Sequence, residues 1–310
     1  METSLIAAVF ATAITAGTPI LFAALGEIFT ERAGILNLGV EGMMLVGAVT
    51  GFMVAYKTGN PWFGVLASML AGGLLSFIHA LLTVTLKANQ VVSGLALTIF
   101  GTGLSGYLGK AFIGQPLPNP FKAEKLGLLG DIPVIGPVLF QQDPLVYLSF
   151  VLVPLSWFFI FRTKMGLNLR AVGENPGAAD SLGVSVSKTR YLYTMVGGML
   201  AGIGGAYLSL VYAPAWMENM TAGRGWIAVA LVIFSTWNPL YALVGAYMFG
   251  GIDALGFRMQ LLDVQIPSYF LSMLPYICTI LILILTTYKA QRNGVGAPKA
   301  LGLSYDREER

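Results

Sequence analysis

The chain has 310 residues, of which 56% are hydrophobic and 11% charged, with a mean hydropathy of +0.74. Water-soluble domains carry about 25% charged residues, so this composition excludes a chain whose surface lies mainly in water. The net charge of +3 does not call for a nucleic acid polymer as partner, because the basic residues gather in loops between apolar runs, as membrane topology requires.

A hydrocarbon core about 30 Å thick takes roughly 20 helical residues. The apolar runs predict an all-α, polytopic membrane bundle of nine helices (eight to ten), at 5–27, 40–56, 61–86, 90–110, 143–162, 188–213, 224–237, 239–257 and 267–288. The first basic residue is Arg32, so the first run lacks a charged leader region and Leu5 to Phe22 reads as a retained span.

Between the first two runs, Glu27, Glu31, Arg32, Asn37 and Glu41 alternate with Gly34, Gly39 and Gly42. Irregular backbone at membrane depth survives only where protein or a watery cavity satisfies it. The spacing predicts that Asn37 caps the second span and that Glu41 sits in its first turn, where the helix dipole favours a carboxylate. Two roles fit these residues: lining a translocation path with polar contacts for sugar hydroxyls, or serving as a cap with an interfacial charge. His79 stands alone in the third run, which points to a structural histidine, since proton relays use chains of acids and histidines.

The segment 111–142 contains Pro116, Pro118, Pro120, Pro133 and Pro137 and reads as irregular. Arg162, Lys164, Arg170, Lys188 and Arg190 bracket one loop, and Lys289, Arg292, Lys299, Arg307 and Arg310 lie in the final segment. Both groups are expected to be cytoplasmic, which puts the N-terminus outside and the C-terminus inside. The polar tail, 289–310, is expected to be flexible.

The loop 165–183 contains a compact signal. Asn175 followed by Pro176 predicts a helix N-cap and first helical residue, and Gly183 suits the left-handed residue beyond a helix end. Ala178 and Ala179 leave that short helix nearly smooth, a shape suited to a groove on another protein; an ordinary loop helix is the alternative. The seventh run is too short to cross upright and predicts a broken helix that turns at Trp237-Asn238-Pro239. Arg224 and Asp253 are expected to pair, with Arg258 competing, because an unpaired charge in a span costs about 2.5–3.5 kcal/mol on insertion scales. Trp216, Trp226 and Trp237 fit interface anchors; Trp226 is also a candidate for the path, where a purine could stack. Four small-residue pairs (Gly47/Gly51, Gly198/Gly202, Ala201/Gly205 and Ala246/Gly250) permit close helix crossings. The only cysteine, Cys278, reads as inert packing.

The string Gly177-Ala-Ala-x-x-x-Gly183 resembles the EAA-x-x-x-G coupling loop of bacterial ABC importer permeases, with Gly177 in place of the usual Glu. Arg170-Ala-Val-Gly-Glu-Asn-Pro-x-Ala-Ala resembles the ribose and branched-chain amino acid permease superfamily. Within it, Glu31-Arg-Ala-Gly-Ile-Leu-Asn-Leu-Gly-Val-Glu-Gly-Met43, Ala222-Gly-Arg-Gly-Trp-Ile-Ala-Val-Ala-Leu231 and Trp237-Asn-Pro239 are similar to nucleoside importer permeases. The resemblance implies a permease domain over 1–288 with its coupling loop at 163–187, in a bacterial plasma membrane and in contact with lipid. It further implies pairing with a second permease, identical or homologous, and cytoplasmic ABC ATPases docked on Glu174, Asn175, Pro176, Gly177, Ala178, Ala179 and Gly183. An extracytoplasmic lipoprotein would deliver nucleoside. Catalysis is then absent from this chain, ATP and Mg being held by the partner; no G-x-x-x-x-G-K-[ST] string occurs in it. A sugar importer permease is the nearest alternative. An ion-coupled carrier using Glu27, Glu41 and Asp253 is the other, although such a carrier has no need of a displayed helix at 175–183.

Overall fold

The computed structural model describes residues 2–261 and 296–307, together with scattered positions between 270 and 284. The run at 267–288 and Cys278 therefore lie outside the described residues as elements. Eleven helices are described: α1 (Glu2–Arg32), α2 (Val40–Thr58), α3 (Pro61–Ala80), α4 (Gln90–Gly109), α5 (Ile135–Leu139), α6 (Pro144–Arg162), α7 (Lys164–Glu174), α8 (Pro176–Ser181), α9 (Val186–Tyr207), α10 (Arg224–Phe234) and α11 (Pro239–Leu261). Single π-helical turns extend α3 to Thr85 and α9 to Tyr212. Among the described residues six helices are long and apolar enough to cross a membrane: α1, α2, α3, α4, α6 and α9.

Local sequence explains the ends. Asn60, Asn89 and Asp143 accept backbone N–H bonds from Trp62, Val92, and Leu145 with Val146, so α3, α4 and α6 each start on a side-chain cap. Pro61 and Pro144 occupy first helical positions, where a missing N–H costs nothing. The segment between α4 and α6 is irregular; its only strands are β1 (Glu124–Lys125) and β2 (Gln141–Gln142), an antiparallel pair with Glu124 opposite Gln142.

The centre of the bundle is α9, packed on α1, α2 and α3. The approach is made at glycine. A Cβ on Gly72 would lie 2.2 Å from the Gly198 carbonyl, one on Gly202 2.2 Å from the Ser68 carbonyl, and one on Gly205 1.8 Å from the Met44 carbonyl. Backbones this close gain dispersion contacts that substitute for a hydrophobic drive absent in lipid.

The described part of the final segment departs from expectation. Residues 298–307 are fastened to the body: Ala300 N–H donates to Gly173 O at 2.9 Å, Gly302 N–H to Gly34 O at 3.2 Å, and Arg190 Nη1 to Leu303 O at 3.0 Å. Its polar composition suggested a free tail. The fold instead uses its backbone groups to serve the carbonyls of Gly173 and Gly34 and one guanidinium nitrogen of the buried Arg190.

Candidate translocation and coupling site

Helix α10 is 11 residues long, about 16 Å at 1.5 Å per residue, roughly half a hydrocarbon core. Both its ends are held by the turn between α1 and α2. At the N-terminus, Gly223 is left-handed (φ +83°) and offers no side-chain cap. The free N–H groups are taken by Glu41: Oε1 accepts from Gly223 N at 2.8 Å and from Thr221 Oγ1 at 2.6 Å, and Oε2 accepts from Gly225 N at 2.6 Å. A carboxylate at a helix N-terminus meets both the unpaired donors and the positive end of the dipole. The fit demands glycine at 225, where a Cβ would sit 2.6 Å from Glu41 Oε2.

At the other end, the chain turns through Thr236 (φ +51°) and Trp237 (φ +56°), a left-handed pair without glycine. Such conformations persist only where surroundings over-determine them, and here they do. Arg32 Nη2 donates to the Trp237 carbonyl at 3.2 Å, and Trp237 Nε1 donates to Glu31 Oε2. The Arg32 guanidinium also lies over the Phe161 ring at 5.4 Å, and Arg170 of α7 lies over the same ring at 5.4 Å. Glu31 and Trp237 were not matched from sequence, although a buried acid and an indole each need a partner inside a membrane protein.

The α1–α2 turn is itself polar and closed. Asn37 Nδ2 donates to Glu27 Oε2 at 3.3 Å, and Asn37 N–H donates to Glu27 Oε1 at 3.2 Å. The cap of α2 is Gly39, not Asn37; the asparagine oxygen accepts only from Gly39 N at 3.0 Å, because its amide is turned toward Glu27. Glu41 does stand in the first turn of α2, but its carboxylate serves α10. His79 is fully buried, with Nε2 3.1 Å from Leu36 O and Nδ1 2.9 Å from Ser93 Oγ. The carbonyl can only accept, so Nε2 carries the hydrogen and the ring pins the turn to α3 and α4.

Arg224 Nη2 lies 3.3 Å from Asp253 Oδ2, and its guanidinium stands 5.3 Å from the Tyr212 ring centre. The side chain of Arg258 lies outside the described residues. Trp226, in the first turn of α10, is 36% exposed, whereas Trp216 and Trp237 are buried (1% and 5%) and so do not form an interface belt. Beside Tyr212 opens a cavity of about 450 Å³ with a mixed lining, Thr12, Thr15, Gln142 and Asp143 on the polar side and Phe121 and Val211 on the apolar. Asp143 there receives the Tyr207 hydroxyl at 2.9 Å, and burial pushes its carboxyl above the ordinary carboxylate range.

Helix α8 forms where the cap signal lies: Asn175 Oδ1 accepts from Ala178 N at 3.0 Å, Pro176 is the first helical residue, and Gly183 is left-handed (φ +84°). Ala178 and Ala179 differ in their surroundings. Ala179 is buried in a small apolar cluster with Val172 of α7 and Val186 of α9, while Ala178 is exposed. Leu182, just past the helix, is 84% exposed. Gly177 is half-buried and Glu174 exposed. The two halves of the site meet at Gly173, where a Cβ would come within 2.1 Å of the Arg32 carbonyl.

No solved structure matches the chain. It is similar to an ABC transporter permease of Haloferax volcanii that is named for glucose, with 41% identity over 95% of this chain and 96% of the other. It is also similar to a guanosine ABC transporter permease of Bacillus subtilis, 37% identical over 94% of each chain. A nucleoside ABC transporter permease of Lactococcus lactis is 37% identical over 93% of each. The family described as the permease component of the branched-chain amino acid transport system matches residues 9–285. With that match spanning all but the two ends, the chain belongs to this family and is the multi-pass membrane permease of an ABC transporter.

Proposed function

We propose that the chain forms the translocation path of a nucleoside importer driven by ATP hydrolysis on a partner. The observation that carries this reading is likeness along 93–94% of the chain to two permeases named for guanosine or nucleosides. Permeases of this family work with an ATPase and a substrate-binding protein; in the finer reading, the ATPase is cytoplasmic and seats on α8, with Glu174 to Gly183 in its groove. A second permease, identical or homologous, completes the path, and a lipoprotein delivers cargo from outside. The N-terminus then faces outward and α8 inward, consistent with basic residues around α7 and α9. Membership of this family leaves no place for an ion-coupled carrier.

Within the path, Trp226 presents an exposed aromatic face on which a base can stack. Asn37 and Glu41 act beside it by holding the α1–α2 turn and the N-terminus of α10. Arg224 and Asp253 fix that helix against α11, beside Tyr212.

The test is uptake by the reconstituted transporter of labelled guanosine against labelled glucose. Saturable guanosine uptake that excess glucose leaves intact supports the proposal. Glucose uptake alone overturns it in favour of the sugar reading, which the Haloferax relative at 41% identity favours.

A further inference from the structure

Segment 298–307 is bonded to α7, α8, α9, the α1–α2 turn and the α3–α4 connection. Starting from α7, Ala300 N–H donates to Gly173 O at 2.9 Å. A Cβ added at Gly173 would lie 2.1 Å from the Arg32 carbonyl and 3.4 Å from Pro298, so both stand close to this glycine. From α8, Asp180 Oδ2 lies 3.0 Å from Arg307 Nε, and Tyr305 packs on the apolar cluster that seats Ala179. Toward the α1–α2 turn, Gly302 N–H donates to Gly34 O at 3.2 Å. Toward α9, the Leu303 carbonyl accepts from Arg190, a residue only 1% exposed. Lys87, between α3 and α4, pairs with Asp306.

We infer that segment 298–307 is a strap that joins α8 to the α1–α2 turn so that both move as one body, with Tyr305 and Arg307 as positioning residues for transport. The inference rests on the reading of α8 as the ATPase seat. Six residues of helix have little surface of their own with which to transmit force, and Asn175 and Gly183 flank α8 with non-helical backbone on both sides. A rigid-body coupling therefore needs a second attachment, and the strap supplies one, bonded to α7 at Gly173, to α8 at Asp180 and to the α1–α2 turn at Gly34. The Asp180–Arg307 pair is weak by itself because Arg307 is largely exposed. The backbone bonds and the buried side of Tyr305 hold the strap, and the pair sets its register on α8. From Gly34 the motion reaches α10 through Glu31, Arg32 and Glu41, whose contacts hold both ends of that helix.

The experiment uses the full transporter in proteoliposomes and reads three quantities: ATPase retained on the permease, ATP hydrolysed, and cargo imported per ATP. Tyr305→Ala with Arg307→Ala is expected to keep the first two and to lower cargo per ATP by about fivefold, within the range coupling mutations reach. Tyr305→Phe with Arg307→Lys restores it, which a general loss of fold would not allow. Asp180→Arg with Arg307→Asp recovers a loss seen in Arg307→Asp alone. Unchanged import per ATP in the double alanine variant overturns the strap, and so does loss of the ATPase from that variant. Ala178→Trp, assayed in parallel, tests the seat itself: if it leaves the ATPase bound and import intact, the reading of α8 fails independently of the strap.

Discussion

Glu41 Oε2 accepts a hydrogen bond from Gly225 N–H at 2.6 Å, joining the first turn of α2 to the first turn of α10 across 184 residues of sequence. That carboxylate accepts three donors, all from residues 221–225. Glu41→Gln replaces one acceptor oxygen with a donor that faces N–H groups. Leaving such buried donors unmatched costs about 1–3 kcal/mol. The expected outcome is a lower melting temperature of the purified permease together with impaired uptake; an unchanged melting temperature would show that α10 is held by other means.

Trp237→Phe keeps the ring and removes the donor to Glu31. Glu31 is 1% exposed, so the change strands a buried acid, at a cost of roughly 1–3 kcal/mol. Glu31→Gln in the same background should recover part of the loss, since an amide is less costly to bury than an unpartnered acid. Chemical denaturation of the single and double variants measures the coupling.

Arg224→Asp and Asp253→Arg each place like charges together beside Tyr212 and should abolish most uptake. The double exchange restores an ion pair. Recovery of a substantial part of transport is expected, and equal inactivity of all three variants would argue that the pair does not act as a unit.

Ala178 and Ala179 separate two effects. Ala179→Leu overfills the cluster with Val172 and Val186, costing about 1–3 kcal/mol of local stability. Proteolysis between α7 and α9 should therefore accelerate. Ala178→Trp adds bulk on the exposed side, leaves proteolysis unchanged and displaces the ATPase in a pull-down.

Burial raises the Asp143 carboxyl, so its ionisation works against folding. For an acid of this kind stability is greatest below the ordinary carboxylate value and declines as pH rises toward the raised, folded-state value. Asp143→Asn keeps an N-cap for α6 and should flatten that slope in melting curves taken from acid to neutral pH. Asp143→Ala loses the cap, worth about 1 kcal/mol, and leaves the Tyr207 hydroxyl without its acceptor.

Hydropathy located the helices well because lipid permits few alternatives: Val40, Pro61, Gln90, Pro144, Arg224 and Pro239 begin helices within one residue of the run starts. The α8 cap was equally legible, since Asn-Pro carries its own conformational instruction. The contacts that Glu27, Glu31 and Glu41 make with distant polar residues were not. Asn37 looked like a cap because spacing along the chain says nothing of Glu27 folding back upon it. Trp237 looked like an interface anchor because an indole gives no sign of its acceptor. The strap was invisible for a related reason: its anchors are backbone groups, which every residue possesses.

The glycine contacts of α9 bear on how a cycle of transport can proceed. Surfaces that meet without intervening side chains cannot rotate or slide far without collision; at Gly205 an added Cβ would come within 1.8 Å of the Met44 carbonyl. Helix α9 and its neighbours α2 and α3 therefore keep one mutual arrangement, and relative motion falls where side chains, not bare backbones, lie between the elements.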